Sequence, residues 1–299
     1  MLVIFAMKHT ESRLSLQQNS SPSFRVGLIG AGIQASRSPR LHEQEAFAND
    51  LTYSYQLFDF DLLGVGVEAL PRLLNEAQSQ GFAGLNITHP CKQIVIPLLD
   101  GLSPEAAAMG AVNTVVYTAN KRIGHNTDWW GFAESFKRGL ADVSFCQVVL
   151  LGAGGAGAAV AYAAMKLGVE RLAIHDVDNF RATDLAEKLS REFGNGRAVA
   201  VTNLAEEIAL SDGLIQATPV GMITHPGLPV PAGLLRPALW VAEIVYFPLE
   251  TEFLKAARQL GCRTMDGGGM AVFQAAESFR LFTGKSPDYE RMLRYFLTM

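Results

Sequence analysis

Two groups of residues in this chain have the types and spacing of chemistry. The first is Gly152-Ala153-Gly154-Gly155-Ala156-Gly157, between the apolar run Val148–Leu151 and an alanine-rich stretch. Glycines let the backbone turn tightly and approach a pyrophosphate, whose charge the N–H groups and dipole of a following helix stabilise. Gly152, Gly154 and Gly157 hold the G-x-G-x-x-G spacing in a strand–turn–helix context, as a dinucleotide site requires. Tight helix–sheet packing with no ligand is the plainer alternative. Asp176 closes the next strand, about twenty residues on, where a carboxylate accepts hydrogen bonds from ribose hydroxyls and repels a 2′-phosphate. This favours NAD over NADP. Arg181 keeps NADP open, since it can stack on adenine, meet a phosphate, or be only a solvated helix charge.

The second group lies in the first half. Ser36 and Ser38 flank Arg37 just before Pro39, and two hydroxyls at a helix N-terminus make a seat for a carboxylate. Helix capping by Ser38 is the alternative. Asn86 and Thr88 share strand parity and point to one side. Lys92 follows half a turn into the next helix, where a lysine exchanges protons if it is drawn from solvent and is otherwise a surface charge. His89 is either a general base or a structural histidine. Asn113 and Asp128 complete the set. Asp128 sits just inside a helix at the expected junction of two domains, where clefts form, and Asn126 or Thr127 is a candidate cap for that helix.

These residues need elements to hold them. Apolar runs at Arg25–Ile29, Tyr53–Phe58, Ala83–Ile87, Gln147–Leu151, Arg171–His175, Gly213–Ala217 and Trp240–Ile244 read as strands. Helical spacing connects them, including one helix from Pro90 through Ile94 to Leu99, and a hairpin is expected around Ala119-Asn120. Alternation of strand and helix predicts an α/β fold with largely parallel sheets. The 299-residue length favours two domains. The chain is 49% hydrophobic with a net charge of −4, which excludes disorder over most of its length and a broad nucleic-acid-binding face. Three scattered cysteines form neither a disulfide framework nor a zinc pattern, so a reducing cytoplasm and no metal are expected. No apolar run has the length of a membrane span, and the apolar MLVIFAM start lacks the other marks of a signal peptide. Residues 1–23 read as a loose extension. Monomer and homodimer are both open.

From about Arg25 to Met299 the chain resembles the shikimate dehydrogenase family. The resemblance lies in Ser36-Arg37-Ser38-Pro39, in Asn86, Thr88, Pro90 and Lys92, in Gly110 to Thr114 and in Asn126 to Asp128. It continues in Ala217 to Met222, Tyr246 to Pro248 and Gln274-Ala275. It is nearest the NAD-dependent quinate/shikimate subgroup. Glu43 stands where biosynthetic members usually carry Asn, and Ser38 where quinate-using members often carry Thr. The resemblance implies an α/β substrate domain of residues 24–127 and 266–299, and a Rossmann-type cofactor domain of residues 128–265, with a cleft between them. It implies reversible oxidation of a ring hydroxyl of shikimate or quinate. Lys92 would carry the proton and Asp128 would orient it. Ser36, Ser38, Asn86, Thr88, Asn113, Tyr246 and Gln274 would hold substrate. The glycine loop, Ala153, Ala156, Asp176, Arg181, Thr218, Pro219, Met222, Val245 and Gly269 would hold NAD or, secondarily, NADP. Other readings are a dehydrogenase of a related substrate such as aminoshikimate, and a cofactor-binding regulator without turnover.

Overall fold

The computed structural model describes residues 23–299. The extension expected over residues 1–23 lies outside them, apart from Ser23, which opens the first strand. The first half runs β1 (Ser23–Gly30), α1 (Ser38–Ala48), β2 (Thr52–Asp59), α2 (Phe60–Leu63), α3 (Leu70–Ser79), β3 (Gly84–Ile87), α4 (Cys91–Ile94), β4 (Gly101–Leu102), α5 (Pro104–Met109), β5 (Thr114–Thr118) and β6 (Lys121–His125). α6 (Asp128–Gly139) leads to the second half: β7 (Gln147–Leu151), α7 (Gly155–Leu167), β8 (Arg171–His175), α8 (Asn179–Phe193), β9 (Ala198–Ala200), α9 (Leu204–Leu210), β10 (Gly213–Gln216), β11 (Trp240–Glu243), α10 (Glu252–Gln259) and β12 (Arg263–Met265). α11 (Gly268–Thr283) and α12 (Tyr289–Phe296) close the chain.

The first sheet has the order β2-β1-β3-β5-β6-β4. β1 pairs in parallel with β2 and β3, but β5 is antiparallel to both β3 and β6. The largely parallel sheet expected here is therefore mixed. β5 and β6 form the expected hairpin: Ala119 and Asn120 both have positive φ, 47° and 64°, the conformation of a two-residue turn matched to strand twist. Register brings the functional ends together. Asn86 at the end of β3 lies opposite Thr114 at the start of β5, which lies opposite His125 at the end of β6. Gly30 and Asp59, ending β1 and β2, are paired at the same edge.

The second sheet is wholly parallel, in the order β12-β11-β10-β7-β8-β9, the strand order of a Rossmann fold. Its strands are apolar on both faces, as a sheet covered on both sides requires. All their carboxyl ends share one edge.

The helix expected from Pro90 to Leu99 is a single α turn followed by a 3₁₀ turn over Ile96–Leu98. Pro97, inside the run, has no N–H to continue the ladder. α11 packs across α6 and on α1, β1 and β5, and α12 on α1 and α11. Beneath these three helices lies a small core of Leu41, Val272, Ala275, Ala276, Met292 and Phe296. Arg291 of α12 reaches Glu45 of α1 with two hydrogen bonds of 2.9 and 2.6 Å, and this carboxylate is buried. The last helices therefore brace the element that begins with Ser38.

Candidate active site

Lys92 Nζ lies 2.6 Å from Asp128 Oδ2, and both side chains are largely withdrawn from solvent. The other carboxylate oxygen accepts from Asn113 Nδ2 at 2.8 Å. Asn113 also donates to the Thr127 hydroxyl and accepts from the Thr127 N–H. Thr127 is thus tied to the residue that leads into β5 and does not cap α6 with its side chain, whereas Asn126 accepts from the Asp128 N–H. Asn126 Nδ2 in turn donates to the Ala111 carbonyl. The segment 126–128 is pinned from both sides, so Asp128 is held in place before any ligand arrives.

Asn86 is buried. It donates to the Thr114 hydroxyl and accepts from the Tyr55 hydroxyl at 2.8 Å. Tyr55 was not singled out in the sequence, yet it joins Asn86 to the serine segment. Burial pushes its phenol well above the ordinary range, and the Ser38 hydroxyl beside it opposes this. Ser38 is the first residue of α1, a helix with no side-chain cap, and its N–H donates to the Ser36 hydroxyl. Capping therefore does not account for Ser38. Thr88 packs its methyl group on Gly30, and no side-chain hydrogen bond engages it among the described residues. His89 is exposed, and its carbonyl accepts from the Ala31 N–H. Gln274 sits on α11 against Gly131, one turn after Asp128 on α6.

On the second sheet, Gly152 has φ +96°, a conformation that favours glycine. Gly157 packs directly on the Gly152 carbonyl, leaving no room for a Cβ, while nothing lies within 4 Å of a Cβ position on Gly154. A tight turn, close helix–strand packing and an open face at the start of α7, which includes Ala156, fit a dinucleotide pyrophosphate. Asp176 accepts from the Ala153 N–H at 2.7 Å and from the Asp178 N–H at 2.9 Å. A carboxylate has about four acceptor sites, so capacity for ribose hydroxyls remains. Arg181 is largely exposed and 3.4 Å from Asp178.

The two sets meet at one contact. A Cβ on Gly155 would stand 3.4 Å from Lys92 Cδ, so the lysine stem lies along the glycine loop. Tyr246 is near enough to feel both halves: burial raises its phenol, the Asp128 charge adds to this, and Arg37 opposes it. Gly269, by contrast, packs on Ser135 of α6.

Two buried polar residues missed in the sequence shape the loops over this site. Gln216, ending β10, accepts from the Thr218 N–H and donates to the Val220 carbonyl. This fixes the loop of Thr218, Pro219 and Met222. Glu243, ending β11, accepts from the Val245 N–H and from the Thr251 hydroxyl. The available signal was a polar residue closing an otherwise apolar strand. Burial raises the Glu243 carboxyl from its ordinary 4.5 to about 8, against the pull of these hydrogen bonds. A carboxyl raised on folding stabilises fully below pH 4.5 and loses that contribution as pH climbs through about 8. Glu243→Gln should therefore flatten the fall of Tm with pH across this window. Parallel Tm–pH curves for the two proteins would contradict it.

The sequence model of the Shikimate dehydrogenase substrate binding domain matches residues 28–115. That of the Shikimate 5'-dehydrogenase C-terminal domain matches residues 267–294. A shikimate dehydrogenase (NADP(+)) of Streptomyces avermitilis is 58% identical, covering 91% of this chain and 94% of its own. A quinate/shikimate dehydrogenase (NAD(+)) of Corynebacterium efficiens is 46% identical, covering 93% and 99%. The solved quinate dehydrogenase from Corynebacterium glutamicum in complex with NAD superposes with a TM-score of 0.87 at 45% identity, covering 93% of this chain and all of that one. Relatives this similar, over nearly their whole length, place the chain in the shikimate dehydrogenase family.

Proposed function

We propose that the protein reversibly oxidises a ring hydroxyl of a polyhydroxylated cyclohexane or cyclohexene carboxylate, of the shikimate or quinate type, at a cleft between a substrate domain and a Rossmann domain. The observation that carries this reading is the Lys92–Asp128 pair at 2.6 Å, with the lysine stem against Gly155 of the dinucleotide loop. The nicotinamide supplies the hydride acceptor when bound. Lys92 Nζ takes the hydroxyl proton in oxidation and returns it to the carbonyl in reduction. Asp128, fixed by Asn113, orients Lys92. Ser36 and Ser38 hold the carboxylate, and Asn86, Thr88, Asn113, Tyr246 and Gln274 surround the ring. Hydrogen bonds to each hydroxyl discriminate against analogues that lack it. Val245 and the Thr218–Met222 loop, set by Glu243 and Gln216, flank the cofactor.

NAD is the proposed preference, on the carboxylate of Asp176 at the end of β8. The test is kcat/KM at fixed pH for shikimate, quinate and their amino analogues, each with NAD and NADP. Activity on none of them sinks the enzymatic reading. Asp176→Ala should shift NAD/NADP discrimination toward NADP by about tenfold or more, the size of a charged hydrogen bond. An unchanged ratio removes Asp176 from cofactor choice.

A further inference from the structure

Arg37 stands between the two serines and is half-buried. Its guanidinium lies 4.8 Å from the ring centre of Phe296 and 5.8 Å from that of Phe247. The other half-buried arginines among the described residues give their N–H groups to protein acceptors: Arg291 to Glu45, Arg171 to Glu207, Arg122 to Asn75 and Gln78, and Arg197 and Arg236 to backbone carbonyls. Arg37 makes no side-chain hydrogen bond and no ion pair with any described residue. Stacking on aromatic rings satisfies the faces of a guanidinium and leaves its in-plane N–H donors free. Such a group is held in position by its faces, with its hydrogen-bonding edge uncommitted. Its charge is also felt at Tyr246, whose phenol it draws down while Asp128 pushes it up. The positive charge of Arg37 and the negative charge of Asp128 thus both reach the hydroxyl of Tyr246.

We propose that Arg37 is a specificity-determining residue, a ring-held countercharge that recognises the carboxylate of the substrate alongside the hydroxyls of Ser36 and Ser38. This deepens the proposed function and rests on it. The serine hydroxyls donate to a carboxylate and, more weakly, to an ester; a guanidinium with free donors adds a countercharge that only the carboxylate answers, and so widens the difference. Phe296, buried beneath α1, and Phe247, on the loop after β11, set where that charge stands. The carboxylate end of the ligand is therefore read by charge, and the hydroxyl end by the fixed hydrogen bonds around Asn113 and Asp128.

The test compares shikimate with its methyl ester as substrates for the native protein, Arg37→Gln and Arg37→Lys. Arg37→Gln should raise KM for the acid about tenfold or more. KM for the ester should move much less, and Arg37→Lys should recover part of the loss. On the native protein alone, raising ionic strength should weaken the acid and spare the ester. Equal shifts of KM for acid and ester in Arg37→Gln overturn the inference. So does a salt response shared by both substrates, which is readable even where the variants fold poorly. If the native protein turns over neither substrate, nor quinate, the functional reading itself fails and takes this inference with it.

Discussion

Lys92→Ala is expected to lower kcat by about 10²–10⁴-fold, the contribution of a positioned general acid–base. The loss should fall on kcat, because the side chain that disappears is the proposed proton carrier and has no proposed part in holding the dinucleotide. The fold should survive. The Lys92 carbonyl accepts from the Val112 N–H, a bond that alanine keeps, and buried Cys91 anchors the same short helix. Asp128 keeps its Asn113 partner. Lys92→Arg separates proton transfer from charge. Arginine preserves a cation beside Asp128 but does not give up its proton in proteins, so it should be nearly as inactive as alanine. Rapid-mixing measurement of reduced nicotinamide formation with NAD and with NADP, with circular dichroism to monitor folding, checks both variants. Turnover within a few-fold of native in the alanine variant would remove Lys92 from the chemistry. Recovery by arginine would make its role electrostatic.

Gly131→Ala is the second large effect. α6 and α11 cross at Gly131, where a Cβ would lie 2.7 Å from both Gln274 N and Met270 O. These are backbone atoms of another helix, so no rotamer change relieves the clash and the helices must separate. Overpacking of this kind costs about 1–3 kcal/mol. The damage should also reach function, since α6 begins at Asp128 and α11 carries Gln274. Urea unfolding should show the lost stability, and KM for the ring substrate should rise more than KM for the nucleotide. A variant as stable as the native protein would mean that the crossing is looser than its geometry states.

Legibility of the fold in the sequence followed element length and locality. The strand Gln147–Leu151 keeps its expected bounds, and the alanine-rich stretch after the glycines forms the helix Gly155–Leu167, because a fully buried parallel strand and an alanine-rich helix declare themselves locally. β4, β9 and β12 went unread. They have two or three residues each and exist through pairing with distant partners. The antiparallel placement of β5 beside β3 is likewise a tertiary choice, which no local periodicity encodes. In the site, Lys92 and Asp128 were legible as charges at the starts of helices, and their pairing came only with the family resemblance. Tyr55, Thr114, Gln216 and Glu243 were not legible, because tyrosine and threonine are ordinary strand residues and the other two close strands whose apolar pattern dominates the reading. Asp59 was also silent. It is a buried carboxylate whose four partners, the Gly32, Ile33 and Asp61 N–H groups and the Gln34 amide, fold the loop leading to the serines. Burial raises its carboxyl, but these hydrogen bonds outweigh that and lower it.

On the roles proposed for them, the contact between the Lys92 stem and Gly155 has a consequence for binding. Nucleotide seated at the glycine loop and the amine that handles the proton share a wall one methylene thick. Arrival of the nucleotide is then felt by the lysine whichever ligand comes first, so the affinities for nucleotide and ring substrate should be coupled. It also makes residue 155 a position where a bulkier side chain would desynchronise the two halves: the dinucleotide could still dock, but the proton carrier would no longer be where the hydroxyl meets it.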